Sequence, residues 1–303
     1  MQTGAALRGV FPVFQTPYLD DEAIDWATLE REIDWLFSCG ANGVVMAMVS
    51  EVLRLDQAER QEMAEKAVRF AGERGAVVIS VGAESSRVAE RNARHAADVG
   101  AAALMAIPPV SIATMESQLL DYYERIVRAC DLPIIVQDAS SYVGRPMSIA
   151  MQARLLETFG SARILYKPEA APIGQRLSAL RDATQGQARI FEGTGGIALL
   201  DSYRRGIVGT MPGADLIEGI VALWQALEAS DDDRAYALSL PISSLVAMQN
   251  SLDAFLAIEK HLLVRQGIFI NTIVRGPVGY QLDDETIHEV DRLFEQINTN
   301  ATR

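Results

Sequence analysis

The sequence predicts an α/β fold, a (β/α)8 TIM barrel with a C-terminal helical extension. Three observations carry that prediction. Short apolar runs alternate with amphipathic segments through the first 213 residues. The runs are continuously apolar rather than alternating, as parallel strands buried on both faces are. Beyond residue 213 the alternation stops and the pattern is helical only. A barrel of this kind typically occupies ~250 residues, so the expected regions are the barrel at 1–213 and the extension at 214–303.

The eight runs expected as strands are Gly9–Phe14, Gly43–Met48, Val77–Val81, Ala102–Ile107, Pro133–Val136, Ala162–Tyr166, Ala188–Phe191 and Gly206–Thr210. Between them the helical signals are local and physical. The segment from Asp25 to Gly40 places Leu29, Ile33, Leu36 and Phe37 on one face, and a glycine suits the left-handed residue that closes a helix. Asp56 followed by Glu59 reads as a capping box, each side chain reaching the other's free backbone N–H. "SSRVAERNARHAADVG", "TMESQLLDYYERIVRAC", "SIAMQARLLETFG", Ile173–Gln185 and "IALLDSYRRG" complete the barrel set. The extension reads as helices at Ala214–Ala229, Asp232–Met248, Leu252–Gln266 and Asp283–Ile297, with "IFINTIVRGPVGYQLDDET" as a connecting loop.

Composition excludes several function classes. The chain of 303 residues carries a net charge of −13, with a pI near 4.8, which argues against nucleic acid or an anionic membrane as partner. The two cysteines, Cys39 and Cys130, lie in apolar helical patterns and read as buried thiols without a disulfide or metal role. His95, His261 and His288 fall on separate expected helices without metal spacing, so no metal site is expected. No run has the length of a membrane span or the pattern of a leader peptide, and a cytoplasmic location is the default expectation.

Chemistry in such barrels sits at the C-terminal ends of the strands. The strand ends read Gln15-Thr16-Pro17, Val49-Ser50-Glu51, Gly82-Ala83-Glu84, Pro108 to Ser111, Gln137-Asp138, Lys167-Pro168-Glu169, Glu192-Gly193-Thr194 and Met211-Pro212-Gly213. The chain has only three lysines, Lys66, Lys167 and Lys260. Lys167 alone stands at a strand end; the other two are expected mid-helix on polar faces. An amine among apolar walls is disfavoured as the ammonium, and the neutral form can attack a ketone to give a Schiff base. That imine is an electron sink and needs neither metal nor external cofactor.

Glu169 stands two residues past Lys167, and along an extended strand such residues face the same side. Pro168 holds Lys167 in extended geometry, so both heads are expected in the barrel mouth. An imine-forming amine beside a general base is one reading; a plain ion pair fixing the loop is the other. Asp138 and Glu51 are weaker candidates for the base, and Glu51 reads otherwise as a helix cap or backbone acceptor. Gly193-Thr194-Gly195-Gly196 reads either as a tight turn or as a source of backbone N–H groups for a substrate carboxylate.

Taken together these residues resemble the dihydrodipicolinate synthase/N-acetylneuraminate lyase superfamily of class I Schiff-base lyases. The resemblance spans essentially the whole chain, including the late Val274-Arg275-Gly276-Pro277 segment. The family's Schiff-base lysine falls on Lys167. Its Gly-Thr-Thr-Gly-Glu segment falls on Ala47-Met48-Val49-Ser50-Glu51, where only Glu51 matches. Its strand-five tyrosine falls on Gln137, and its Pro-Tyr-Tyr on Pro109-Val110-Ser111. The lysine is kept while the hydroxyl relay is gone.

That pattern is similar to the 2-keto-3-deoxy-L-arabonate dehydratase branch, in which the carboxylate two residues after the lysine handles protons. The resemblance implies Lys167 and Glu169 as catalytic residues. It further implies Ser50, Val49, Gln137, Asp138, Gly193, Thr194 and Met211 around a small keto-acid substrate, no cofactor, and a homotetramer. A pyruvate-releasing aldolase, a dihydrodipicolinate synthase-like enzyme and a keto-acid-binding regulator are the competing expectations.

Overall fold

A computed structural model describes residues 7–112, 114–140 and 145–302. Eight parallel strands form the sheet: β1 (Gly9–Val10), β2 (Gly43–Met46), β3 (Ala76–Ser80), β4 (Ala103–Ala106), β5 (Ile134–Asp138), β6 (Ile164–Pro168), β7 (Arg189–Glu192) and β8 (Gly209–Thr210). Their order is β1-β8-β7-β6-β5-β4-β3-β2. The bridge between Val13 and Val45 joins the two ends, with Val45 N donating to Pro12 O at 2.9 Å and Phe14 N to Val45 O at 3.2 Å. The (β/α)8 barrel expected from the sequence is present.

Strand boundaries differ from expectation for local reasons. β1 stops early because Pro12 has no N–H to donate; hydrogen bonds to β8 resume on either side, from Phe11 N to Thr210 O and from Val13 N to Pro212 O. β8 starts late because Gly206 still closes the preceding helix, its N–H bonded to Tyr203 O. In contrast, β5 and β6 run further than their apolar runs, pairing Gln137 with Lys167 and Asp138 with Pro168. Lys167 is thus inside the ladder rather than just beyond it.

The helices α1 (Trp26–Ser38), α2 (Gln57–Ala71), α3 (Ser86–Asp98), α4 (Glu116–Ala129), α5 (Ile149–Phe159), α6 (Ile173–Ala183) and α7 (Leu199–Arg204) follow successive strands. The capping box on α2 forms as the spacing predicts, Asp56 accepting from Glu59 N and Glu59 from Asp56 N. Four further helices follow β8: α8 (Ile217–Glu228), α9 (Asp232–Met248), α10 (Leu252–Arg265) and α11 (Asp284–Ala301). α8 packs on β1 and on α9 and α11, and α10 lies against the turn Met48–Ser50.

Two apolar layers separate by strand parity. Val13, Val45, Val78, Ile135, Leu165, Phe191 and Met211 fill the barrel interior. Val44, Ile134, Val136, Ile164, Tyr166 and Ile190 face the helices. Burying a side chain of this size stabilises by roughly 1.5–3 kcal/mol, so a shift by one residue would be costly on every strand. This parity decides which residues reach the mouth.

Candidate active site

Counting two residues up from the interior layer gives the floor of the mouth. Ile135, Leu165 and Phe191 point inward, and the next inward positions on the same strands are Gln137, Lys167 and Gly193. Glu169 follows Lys167 on the same side. Extension continues through Pro168, since Glu169 N donates to Asp138 O at 3.0 Å. Lys167 Nζ donates to Glu169 Oε1 at 2.5 Å, and Gln137 Nε2 donates to Glu169 Oε2 at 3.1 Å. All three side chains are almost wholly buried.

The electrostatics follow from that packing. Burial pushes the Glu169 carboxyl above its ordinary value; the Lys167 charge and the hydrogen bonds from Lys167 and Gln137 pull it back, and the nearby Glu192 pushes it up again. Gly193 is required by space alone. A Cβ there would lie 2.8 Å from Lys167 Cγ and 2.9 Å from both Lys167 Cε and Glu169 Oε1. The cleft over this trio is walled by Ala47, Met48, Val49, Met211 and Pro212, with Phe255 reaching in from α10.

The expected site residues divide by parity. Lys167, Glu169, Gln137, Val49, Gly193 and Met211 all line the cleft. Ser50, Asp138 and Thr194 do not. Ser50 Oγ donates to Phe14 O at 2.5 Å and accepts from Ala47 N, fixing the turn after β2. Asp138 has outward parity and accepts from Ser140 N and Met147 N. Thr194 gives its hydroxyl to Glu192, which also accepts from Thr194 N at 2.6 Å and Thr210 Oγ1 at 2.8 Å. Short polar side chains satisfy nearby groups first, and these three are engaged in that way.

Lys260 is the larger correction. Instead of lying on a polar face it is fully buried, donating to Thr16 O at 2.9 Å, Glu51 Oε1 at 2.6 Å and Ile273 O at 2.6 Å. Glu51 is therefore an ion-pair partner from a left-handed backbone position at φ 57°, while the N-cap of α2 is Asp56. Burial pushes Lys260 down and Glu51 up, and each offsets the other. Beside this pair, Glu32 and Glu259 meet at Gln15, and Asp215 lies against Glu259. Glu32 Oε1 accepts from Gln15 N at 2.8 Å, Glu259 Oε2 takes the Gln15 amide, and Glu259 Oε1 accepts from Ala214 N at 2.9 Å.

Cys39 and Cys130, expected as buried, are half-buried at the C-terminal ends of α1 and α4, where the helix leaves the core. Lys66 pairs with Glu62 one turn earlier on α2. Among the described residues no group of His, Cys, Asp and Glu is arranged to hold a metal ion, and no helix is long and apolar enough to cross a membrane.

The model of the dihydrodipicolinate synthetase family matches residues 6–297. An L-2-keto-3-deoxyarabonate dehydratase of Azospirillum brasilense is 28% identical over 278 residues, which is 89% of this chain and 88% of that protein. A dihydrodipicolinate synthase structure from Rhodopseudomonas palustris superposes with a TM-score of 0.85 at 27% identity, covering 95% of this chain and 97% of that one. YagE, a prophage protein of the dihydrodipicolinic acid synthase family from E. coli K12 solved with pyruvate, gives 0.88 at 21% identity, covering 97% and 99%. That last likeness concerns the fold.

Proposed function

The chain belongs to the dihydrodipicolinate synthetase family of lyases, and we propose that within it the chain is a Schiff-base-forming hydro-lyase acting on a 2-keto-3-deoxy sugar acid. The first candidate substrate is 2-keto-3-deoxy-L-arabonate, dehydrated to 2,5-dioxopentanoate. The observation that carries the reading is the Lys167–Glu169 contact on the floor of the cleft. The described cleft-lining residues offer no phenol or hydroxyl to share the proton work. The likeness to the Azospirillum brasilense dehydratase favours dehydration over carbon–carbon cleavage.

The steps follow from the contacts. The proton leaving the Lys167 ammonium has Glu169 Oε1 as its acceptor at 2.5 Å. The free amine adds to the C2 ketone, and loss of water gives the protonated imine. Glu169 then takes a proton from C3 and leaves an enamine. The enamine expels the C4 hydroxyl, protonated by the same carboxyl, as water. Hydrolysis frees Lys167, and tautomerisation gives the dioxo acid with no carbon lost. Val49, Met211 and Phe255 wall this space and limit water there. The same reading expects a homotetramer at work in the cytoplasmic breakdown of a pentose acid, which light scattering of the purified chain would check in its first part.

The test is product analysis. Borohydride with pyruvate should add covalent mass at Lys167, and 2-keto-3-deoxy-L-arabonate should give a five-carbon dioxo acid by mass spectrometry. Release of pyruvate and glycolaldehyde instead would make the chain an aldolase. A lack of any trapped adduct would make it a keto-acid-binding protein.

A further inference from the structure

We propose that Gln137 is a positioning residue for Glu169: its side-chain amide fixes one oxygen of that carboxylate so that the other stays on the Lys167 nitrogen throughout the reaction. The proposal rests on the reading of Glu169 as the base and goes beyond it.

Register puts Gln137 directly opposite Lys167 on the neighbouring strand. The two side chains therefore leave the sheet side by side, and each takes a different oxygen of the same buried carboxylate: Lys167 takes Oε1 and Gln137 takes Oε2. On the third side Gly193 leaves only a hydrogen's width of space. The carboxylate is thus held in one rotamer from both strands.

The need for a second holder arises from the chemistry. An ammonium carries three hydrogens, whereas the protonated imine carries one. At the imine stage Lys167 therefore keeps its charge but has a single N–H for Glu169, with no spare donor, when Glu169 must act as an ionised base. Gln137 does not change through the cycle. A side-chain amide donates at every pH and cannot itself give up a proton, unlike a phenol. That makes its role positioning rather than proton transfer.

The charges facing Glu169 agree. From β6 the Lys167 ammonium favours the carboxylate; from β7 the buried Glu192 opposes it, as does burial itself; from β5 Gln137 favours it while Asp138 is turned to loop amides. Gln137 is then the favouring contact that stays the same from ammonium to imine.

The experiment uses Gln137→Met, similar in volume but without a donor, and Gln137→Leu should the first pack poorly. Glu carboxyl carbons are labelled with 13C, the Glu169 signal being assigned by its loss in Glu169→Gln. In the Gln137 variants Glu169 should titrate about one to two pH units higher, the shift expected when a hydrogen bond to a charged group is lost. The acid limb of kcat against pH should move up with it, with kcat on the acid side of that limb down about 10–100-fold and recovering as pH rises. KM and pyruvate trapping at Lys167 should stay within about threefold, less than half a pH unit in free-energy terms.

An unmoved Glu169 titration, or a loss confined to KM, would overturn the proposal and leave Gln137 as a structural or substrate contact. An untrapped wild-type protein would refute the Schiff-base reading instead, while the carboxyl titration would still decide Gln137.

Discussion

Two buried lysine–glutamate pairs occur among the described residues, 2.5 Å apart in one and 2.6 Å in the other. All four side chains are buried. By distance and burial alone Lys167–Glu169 and Lys260–Glu51 would be assigned the same role. They differ in what is left over. Lys260 places its nitrogen among three acceptors, two of them backbone carbonyls from residues 16 and 273, with the Tyr18 ring 4.6 Å away. Its donors are spent on holding chain segments together. Lys167 has Glu169 as its hydrogen-bond partner among the described residues and opens onto a cleft. Unfilled hydrogen-bonding capacity and open space beside a buried ion pair leave room for chemistry; without them the pair is a fastener.

Exchanging the two lysines' fates is the sharpest way to break that comparison. Lys167→Ala should remove borohydride trapping and reduce turnover by about 10⁴–10⁶-fold, as deletion of a covalent nucleophile does, with little change in urea midpoint. Lys260→Met should do the reverse, costing roughly 3–5 kcal/mol by stranding the buried Glu51 while the folded fraction still traps pyruvate. Loss of trapping in Lys260→Met with unchanged stability would erase the distinction.

Glu169→Gln sharpens it within one pair. The reading of Glu169 as proton carrier requires a loss of about 10²–10⁴-fold in kcat, with the imine still formed; wild-type turnover in this variant would end that role.

The smallest effect concerns the surroundings of Lys260, where Glu32, Glu259 and Asp215 outnumber the single cation. Burial is the first cause of the rise in all three, which lifts Asp215 to about 6 and the two glutamates well above their ordinary range. Folded values above unfolded ones mean that the native state binds more protons. Their stabilising contribution is complete below about pH 4, where the unfolded groups are protonated as well. It is lost as pH rises, through about 6 for Asp215 and higher for the glutamates. Glu259→Gln keeps an acceptor for Ala214 N and removes one ionisation, so it should gain about 1 kcal/mol on wild type between pH 5 and pH 8 in urea titrations. An identical pH slope in both proteins would show that Glu259 ionises without cost.

Much of this was legible beforehand because it depends on short-range rules. Continuous apolar runs, caps such as Asp56 with Glu59, and the two-residue period from Leu165 through Lys167 to Glu169 all act over a few residues. The same period, applied to β5 and β7, would have separated Gln137 from Asp138 and Gly193 from Thr194; polarity at a strand end was the weaker signal. Lys260 was not legible in that way. Charged residues are seldom buried unless paired, and its partner Glu51 lies 209 residues away. The visible hint was Glu259-Lys260 set among apolar neighbours on every side of "FLAIEKHLLV". Phe255 closes the cleft only because α10 returns to the mouth, a tertiary fact with no local trace.

The Lys260 fastener also sets a timetable. Its three partners sit at residues 16, 51 and 273, so the two earliest strand-end loops are secured by an amine synthesised more than two hundred residues later. A nascent chain can build its strands and helices in sequence, as local contacts allow. Until residue 260 has emerged, the carboxylate of Glu51 and the carbonyl of Thr16 lack their common cation, and the loops carrying Val49 toward the cleft are untied. The mouth of the barrel is therefore among the last parts of this protein to be completed on the ribosome.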